Sequence, residues 1–213
     1  MKTITIVRHG KAMTGATDET AYDNLSEIGQ QQAALVGAYL RNTEKYKKVM
    51  SGTLNRHRQT VEHAAMDMPY EQDARLNEMP FFELGNALVE DKGFAFPQND
   101  GEFEPFFTAM LSHWPELAVP RGIKLRDEIM YGVLEVLRGL DEDTLVISSG
   151  GIIGLLGSYV LDLSPAATTK FVIPVAHTSI HRFTVSGDRI FLTKYCSIPH
   201  LDRADQRELV TFA

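Results

Sequence analysis

An arginine, a histidine and a glycine, Arg8-His9-Gly10, close the first apolar run of the chain. Arginine has a planar fork that can hold two phosphate oxygens. Histidine can present a neutral imidazole nitrogen as a nucleophile, or donate a proton. A second arginine, Arg56, opens the helical run after a short strand-like one. Ser149-Gly150-Gly151 stand between a buried strand-like run and another helical one. Glycines there let the backbone approach an anion, and the N–H groups and dipole of a helix start can hold it. Each of these places suits phosphate.

The elements that must carry these residues are legible in outline. Thr3 to Val7 read as a strand, because β-branched residues fit a pleated, buried surface. Gly10 ends it, so Arg8 and His9 fall at its carboxyl end, the edge where open α/β sheets bind ligands. A polar loop runs from about Lys11 to Asn24. Ser26 is an expected N-cap, and Ile28, Leu35, Val36, Tyr39 and Leu40 share one helical face behind it. Lys47 to Ser51 give a second strand, Gly52 breaks it, and Leu54 to Met66 give a second helix. Arg56 then faces the same sheet edge, whereas His57, Arg58 and His63 are expected at the surface.

Residues 79 to 120 hold seven phenylalanines and Trp114 among turn-forming glycines and prolines. A stretch this long in a compact domain is functional or has helices of its own. It reads as a partly helical cap over the carboxyl edge, its aromatics either packing the cap or serving the site. Arg121 to Leu140 form a broad apolar helix, Thr144 to Ser148 a buried strand and Ile152 to Leu161 a buried helix. Thr178 to Val185 and Arg189 to Tyr195 flank Ser186-Gly187-Asp188, a hairpin pattern. A hairpin after a βαβ series predicts a mostly parallel sheet with one antiparallel strand. The simplest account is one domain over 1–213 with an inserted cap at about 79–120.

Composition limits the function classes. The chain has 213 residues, 44% of them hydrophobic and 23% charged, an ordinary globular make-up. A formal net charge of -7 argues against nucleic acid or an anionic membrane as partner, though a pocket can still be locally basic. The single cysteine, Cys196, excludes an internal disulfide and fits a reducing, cytoplasmic compartment. Five apolar residues before Arg8 are too few for a signal peptide, and no run is long enough to span a membrane.

Taken together and in order, the motifs resemble the histidine phosphatase superfamily, or phosphoglycerate-mutase-like fold. Arg8-His9-Gly10 match its leading tripeptide, and Leu25-Ser26-Glu27-Ile28-Gly29 through Gln32-Ala33 look like its first helix motif. Leu54-Asn55-Arg56 with Gln59-Thr60 are similar to its second arginine motif, and Leu76-Asn77-Glu78 to the segment bearing its acid. Val146 to Ile153 match its last strand–turn–helix.

The resemblance implies an α/β/α sandwich and a phosphatase acting on a small phosphate monoester through phosphohistidine, with no cofactor or metal. His9 would attack phosphorus. Arg8 and Arg56 would neutralise the equatorial oxygens. Glu78 would protonate the leaving oxygen and then activate water. Ser149 departs from the family's Ser-His-Gly-Gly pattern: it stands where a second histidine is usual. Losing one such donor costs roughly a hundredfold in rate, so a slow enzyme or a non-catalytic phosphate- or phosphoprotein-binding relative is the alternative. Ser149 and Gly150 would still face the anion, and His177 is a candidate replacement donor. His181 and His200 read as structural. A phosphomutase is disfavoured, because Lys11 to Asp23 lack the Trp-Asn run that follows the tripeptide in that group.

Overall fold

A computed structural model describes residues 1–13, 23–118 and 126–212. Most of the polar loop after Gly10, and the stretch expected to open the helix at Arg121, lie outside the described residues. Six strands form one sheet: β1 (Lys2–Arg8), β2 (Lys48–Ser51), β3 (Tyr70–Gln72), β4 (Thr144–Ser148), β5 (Ile180–Ser186) and β6 (Arg189–Ser197), ordered β3-β2-β4-β1-β5-β6. β1, β2, β3 and β4 pair in parallel, and β5 runs antiparallel to both its neighbours. The expected reversed strand is therefore β5, which enters by way of Thr178 and leaves through the hairpin.

Alternation along β1 and β4 divides the core between the two faces of the sheet. Ile4, Ile6 and Val146 join Phe183 on one face, while Val7, Leu145, Ile147 and Ile180 join Val49 on the other. The second face is covered by α1 (Glu27–Thr43) and α2 (Asn55–Ala64) through Val36, Leu40 and Val61. Ser26 caps α1, its Oγ accepting from Gly29 N–H at 3.2 Å. The buried stripe of α1 is Gly29, Gln32, Ala33, Val36, Gly37 and Leu40, rotated from the expected face, with Ile28 and Leu35 only half-buried. Close packing is the reason: a Cβ on Gly37 would overlap the backbone of Ala64 at the end of α2.

The first face is covered by α3 (Phe81–Lys92), α4 (Asp100–His113), α5 (Arg126–Gly139), α6 (Gly150–Leu161) and α7 (Pro165–Val172). The cap segment is thus two full helices, α3 and α4, more regular than expected. Gly93 ends α3 at φ +73°, in the left-handed region. α6 starts at Gly150, two residues earlier than the apolar pattern indicates. β3 and α7 had no sequence expectation: β3 has three residues, and α7 is a short helix opened by Ser164 and Pro165.

Candidate active site

The sequence-singled residues Arg8, His9, Arg56, Glu78, Ser149, Gly150 and His177 gather at the carboxyl end of β1 and β4. His9 sits one residue past β1, 1% exposed, with its Nδ1 2.8 Å from the carbonyl of Gly10. A carbonyl can only accept, so Nδ1 carries the hydrogen and Nε2 keeps its lone pair. Burial, then the charges of Arg56 and Arg8, hold the imidazole well below its ordinary pKa, in the neutral form. A neutral ring with a fixed tautomer is able to act as a nucleophile.

The two arginines are set by different partners. Arg8 donates from Nη1 to the carbonyl of Val175 at 2.5 Å. Arg56, fully buried, donates from Nη1 to Asp23 Oδ1 at 3.0 Å. Asp23 also accepts from the backbone N–H of Asn55 and Arg56. Leu54, at the N-cap of α2, has no side chain able to do this, so Asp23 caps the helix from outside. Asp23 was not foreseen: it lies in a polar loop with no periodic signal. Thr60, one turn further along α2, accepts from Gly10 N–H at 3.1 Å and donates to Arg56 O.

Glu78 follows a 3-10 turn that is tied on two sides. Ser148 Oγ donates to Leu76 O at 2.8 Å, and Asn77 Oδ1 accepts from Thr53 N–H at 2.6 Å. Glu78 Oε1 accepts from Gly151 N–H at 3.1 Å and from Met79 N–H at 2.9 Å. The carboxylate therefore caps α6. Gly151 is required here, because a Cβ would overlap Glu78 Oε1 and the Met79 side chain.

Ser149 occupies the N-cap position of α6 but makes no capping bond. Its Oγ lies 2.6 Å from Nε2 of His57. His57 corrects the sequence reading: it is fully buried, not at the surface. His57 belongs to the broad inward stripe of α2, which runs through Arg56, His57, Thr60, Val61 and Ala64. Gly52 makes the room, since a Cβ there would overlap His57 Nδ1. A glycine and a serine, both small, facing this histidine were the available signal. Burial, then Arg56, lowers the His57 pKa well below its ordinary value.

His177 also stands beside His9. The His9 ring centroid is 5.6 Å from that of His57 and 5.7 Å from that of His177. His177 Nδ1 bonds Thr211, at 2.9 Å to Oγ1 and 3.2 Å to the carbonyl, and Gln32 Nε2 donates to the same Thr211 Oγ1 at 2.9 Å. Burial, then Arg8, lowers the His177 pKa. Its Nε2 thus presents a lone pair, and as a phosphate donor it would have to take up a proton first. His181 and His200 hold structural bonds, to Ser179 Oγ and Thr178 Oγ1, both at 2.9 Å.

A cavity of about 220 Å³ opens beside this corner. Arg8, Arg56, Glu78, Gly150 and Gly151 form its polar wall, and Met79, Phe81, Phe82, Phe103 and Phe107 form much of the other.

Residues 4–197 match the histidine phosphatase superfamily (branch 1), and the chain belongs to that family. Among solved structures it is similar to Entamoeba histolytica phosphoserine phosphatase in complex with 3-phosphoglyceric acid, at 20% identity and a TM-score of 0.65, covering 94% of this chain and 100% of that one. It is similar to Bacillus stearothermophilus YhfR, at 20% identity and a TM-score of 0.66 over 94% and 99% of the two chains. A mycobacterial glucosyl-3-phosphoglycerate phosphatase gives 18% and 0.63 over 92% and 99%. No curated protein matches the chain. Among the described residues, no helix is long and apolar enough to cross a membrane.

Proposed function

We propose that the protein hydrolyses a small phosphate monoester with an apolar leaving group, through a phosphohistidine. The observation that carries this reading is His9, held neutral by burial and by the charges of two arginines, fixed in its tautomer by Gly10 O, and near a carboxyl group at a helix start. In the first step His9 Nε2 attacks phosphorus. The N–P bond forms, the ester P–O bond breaks, and Glu78, protonated on Oε2 while Oε1 keeps its two N–H bonds, gives that proton to the leaving alkoxide. In the second step Glu78, now a carboxylate, takes a proton from water as that water attacks phosphorus. The N–P bond breaks, and inorganic phosphate leaves. Arg8, Arg56 and the Gly150 N–H stabilise charge on the equatorial oxygens in both steps.

The aromatic wall supports the leaving-group class. Phe81, Phe82, Phe103 and Phe107 offer rings, and no lining residue on that wall offers a cation for a carboxylate. Phosphoserine and phosphoglycerate carry such a carboxylate and would lose its hydration there. Burying about 80 Å² of an aryl group would favour binding by roughly 2 kcal/mol, about thirtyfold.

The test is hydrolysis of p-nitrophenyl phosphate and 1-naphthyl phosphate beside phosphoserine, with His9→Ala as control. The expected result is a higher kcat/KM for the aryl esters and no turnover by the control. Binding of orthovanadate without hydrolysis of any ester would favour the second reading, a phosphate-binding protein, which the serine at position 149 motivates.

A further inference from the structure

Ser149 and His57 are both fully buried, and their side chains meet at 2.6 Å within the shell around His9. An N-cap serine ordinarily turns its hydroxyl back onto its own helix, a bond worth about 1 kcal/mol. Here the Glu78 carboxylate takes that place on Gly151 N–H, and the Ser149 hydroxyl goes to an imidazole from another helix. Room for that imidazole depends on Gly52.

The direction of the bond follows from the other ring nitrogen. His57 Nδ1 is buried with no hydrogen-bond partner among the described residues. A buried N–H without an acceptor is the costlier of the two ways to leave that atom. Nε2 therefore carries the hydrogen and donates to Ser149 Oγ. The hydroxyl's own hydrogen is then available to an oxygen of an anion on the Gly150 N–H, and the bond it accepts from His57 polarises it.

We propose that Ser149 donates its hydroxyl hydrogen bond to a phosphoryl oxygen, and that His57, reaching in from α2, orients and polarises that hydroxyl. Ser149 is then a catalytic residue and His57 a positioning residue. No proton changes owner: the pair supplies a donor as charge grows on the oxygen. A ring kept neutral by burial and by Arg56 is the form this needs. The inference rests on the phosphatase reading, so its test reads anion binding as well as turnover.

The experiment compares Ser149→Ala, His57→Ala, His57→Gln and the double alanine variant. It measures phosphoenzyme formation per active site, from the p-nitrophenol burst, and orthovanadate affinity by calorimetry. Ser149→Ala and His57→Ala should each slow the burst about tenfold or more, with weaker vanadate binding. The double variant should be no slower than the slower single one, because the two residues act as a unit. His57→Gln, whose amide N–H can reach the serine, should recover most of the rate. Ser149→Ala decides the matter if His57→Ala does not fold. An active parent whose Ser149→Ala variant keeps its rate and vanadate affinity overturns the pair and leaves the phosphatase reading standing. A parent that binds vanadate without turnover, and loses affinity in both alanine variants, overturns the phosphatase reading and leaves the pair as an anion donor. A parent that does neither overturns both.

Discussion

The two walls of the cavity are built by different means. The polar wall stands on strand ends and helix starts, and its side chains are held by hydrogen bonds, to backbone groups except at Arg56, which the Asp23 carboxylate holds. Gly10 O fixes His9, Val175 O fixes Arg8, and two N–H groups fix Glu78. The aromatic wall comes from α3 and α4, and its rings are held by one another: Phe103 and Phe107 stack with centroids 5.5 Å apart, and Phe81 lies within 6.2 Å of both. Backbone anchoring gives one geometry, as charge stabilisation requires. Ring-on-ring packing tolerates exchange of volume, as a site for an apolar group of variable shape requires. Chemistry should therefore depend on the first wall and substrate choice on the second.

The sharpest break of that contrast is His9→Ala. We expect turnover to fall by at least about four orders of magnitude, as when other covalent nucleophiles are removed, with the melting temperature little changed. Asp23→Asn comes next, because it removes a carboxylate charge from beside the buried Arg56 guanidinium. Removing one partner of a buried pair costs about 3–5 kcal/mol, so both thermal stability and the rate should drop. On the aromatic wall, Phe103→Ala should weaken KM for 1-naphthyl phosphate by about three- to tenfold while leaving inhibition by inorganic phosphate unchanged. Equal losses for both ligands would erase the distinction between the walls.

A pH dependence of stability lies outside this contrast of walls. Burial lowers His200 from 6.5 to about 4 and His181 to about 3. Below about pH 6.5 the unfolded chain takes up protons that the folded chain does not, so stability falls as pH falls towards 4 and is fully present above 6.5. His200→Gln should flatten the fall in melting temperature across that window. A melting temperature unchanged between pH 7 and about 4.5 would contradict the assigned burial cost.

Much of the polar wall could be read from the sequence. Arg8, His9, Arg56 and Gly150 sit where a strand run meets a glycine or a helix start, and that punctuation alone places them on the ligand edge. The reversed strand was legible from the hairpin. His57 was not: it shares the inward stripe of α2 with Thr60, Val61 and Ala64, but it stands among Asn55, Arg56, Arg58 and Gln59, where no apolar neighbour marks that stripe. Asp23 and Thr211 escaped notice for another reason, and Gln32 was read only as part of a helix motif: each acts across the fold, through contacts 33 to 179 residues apart in sequence. The two cap helices were blurred by Pro97, Pro105 and the glycines, although Asn99 and Gly93 mark their ends.

The central claim is that His9 carries the phosphoryl group and Glu78 works beside it. Glu78→Gln keeps an oxygen for Gly151 N–H but removes the base, and p-nitrophenolate leaves without needing an acid. Rapid mixing of that variant with p-nitrophenyl phosphate, followed by mass spectrometry of the digested protein, should show one phosphoryl group accumulating on the peptide that contains His9. Continued release of p-nitrophenol with that peptide unmodified would contradict the account.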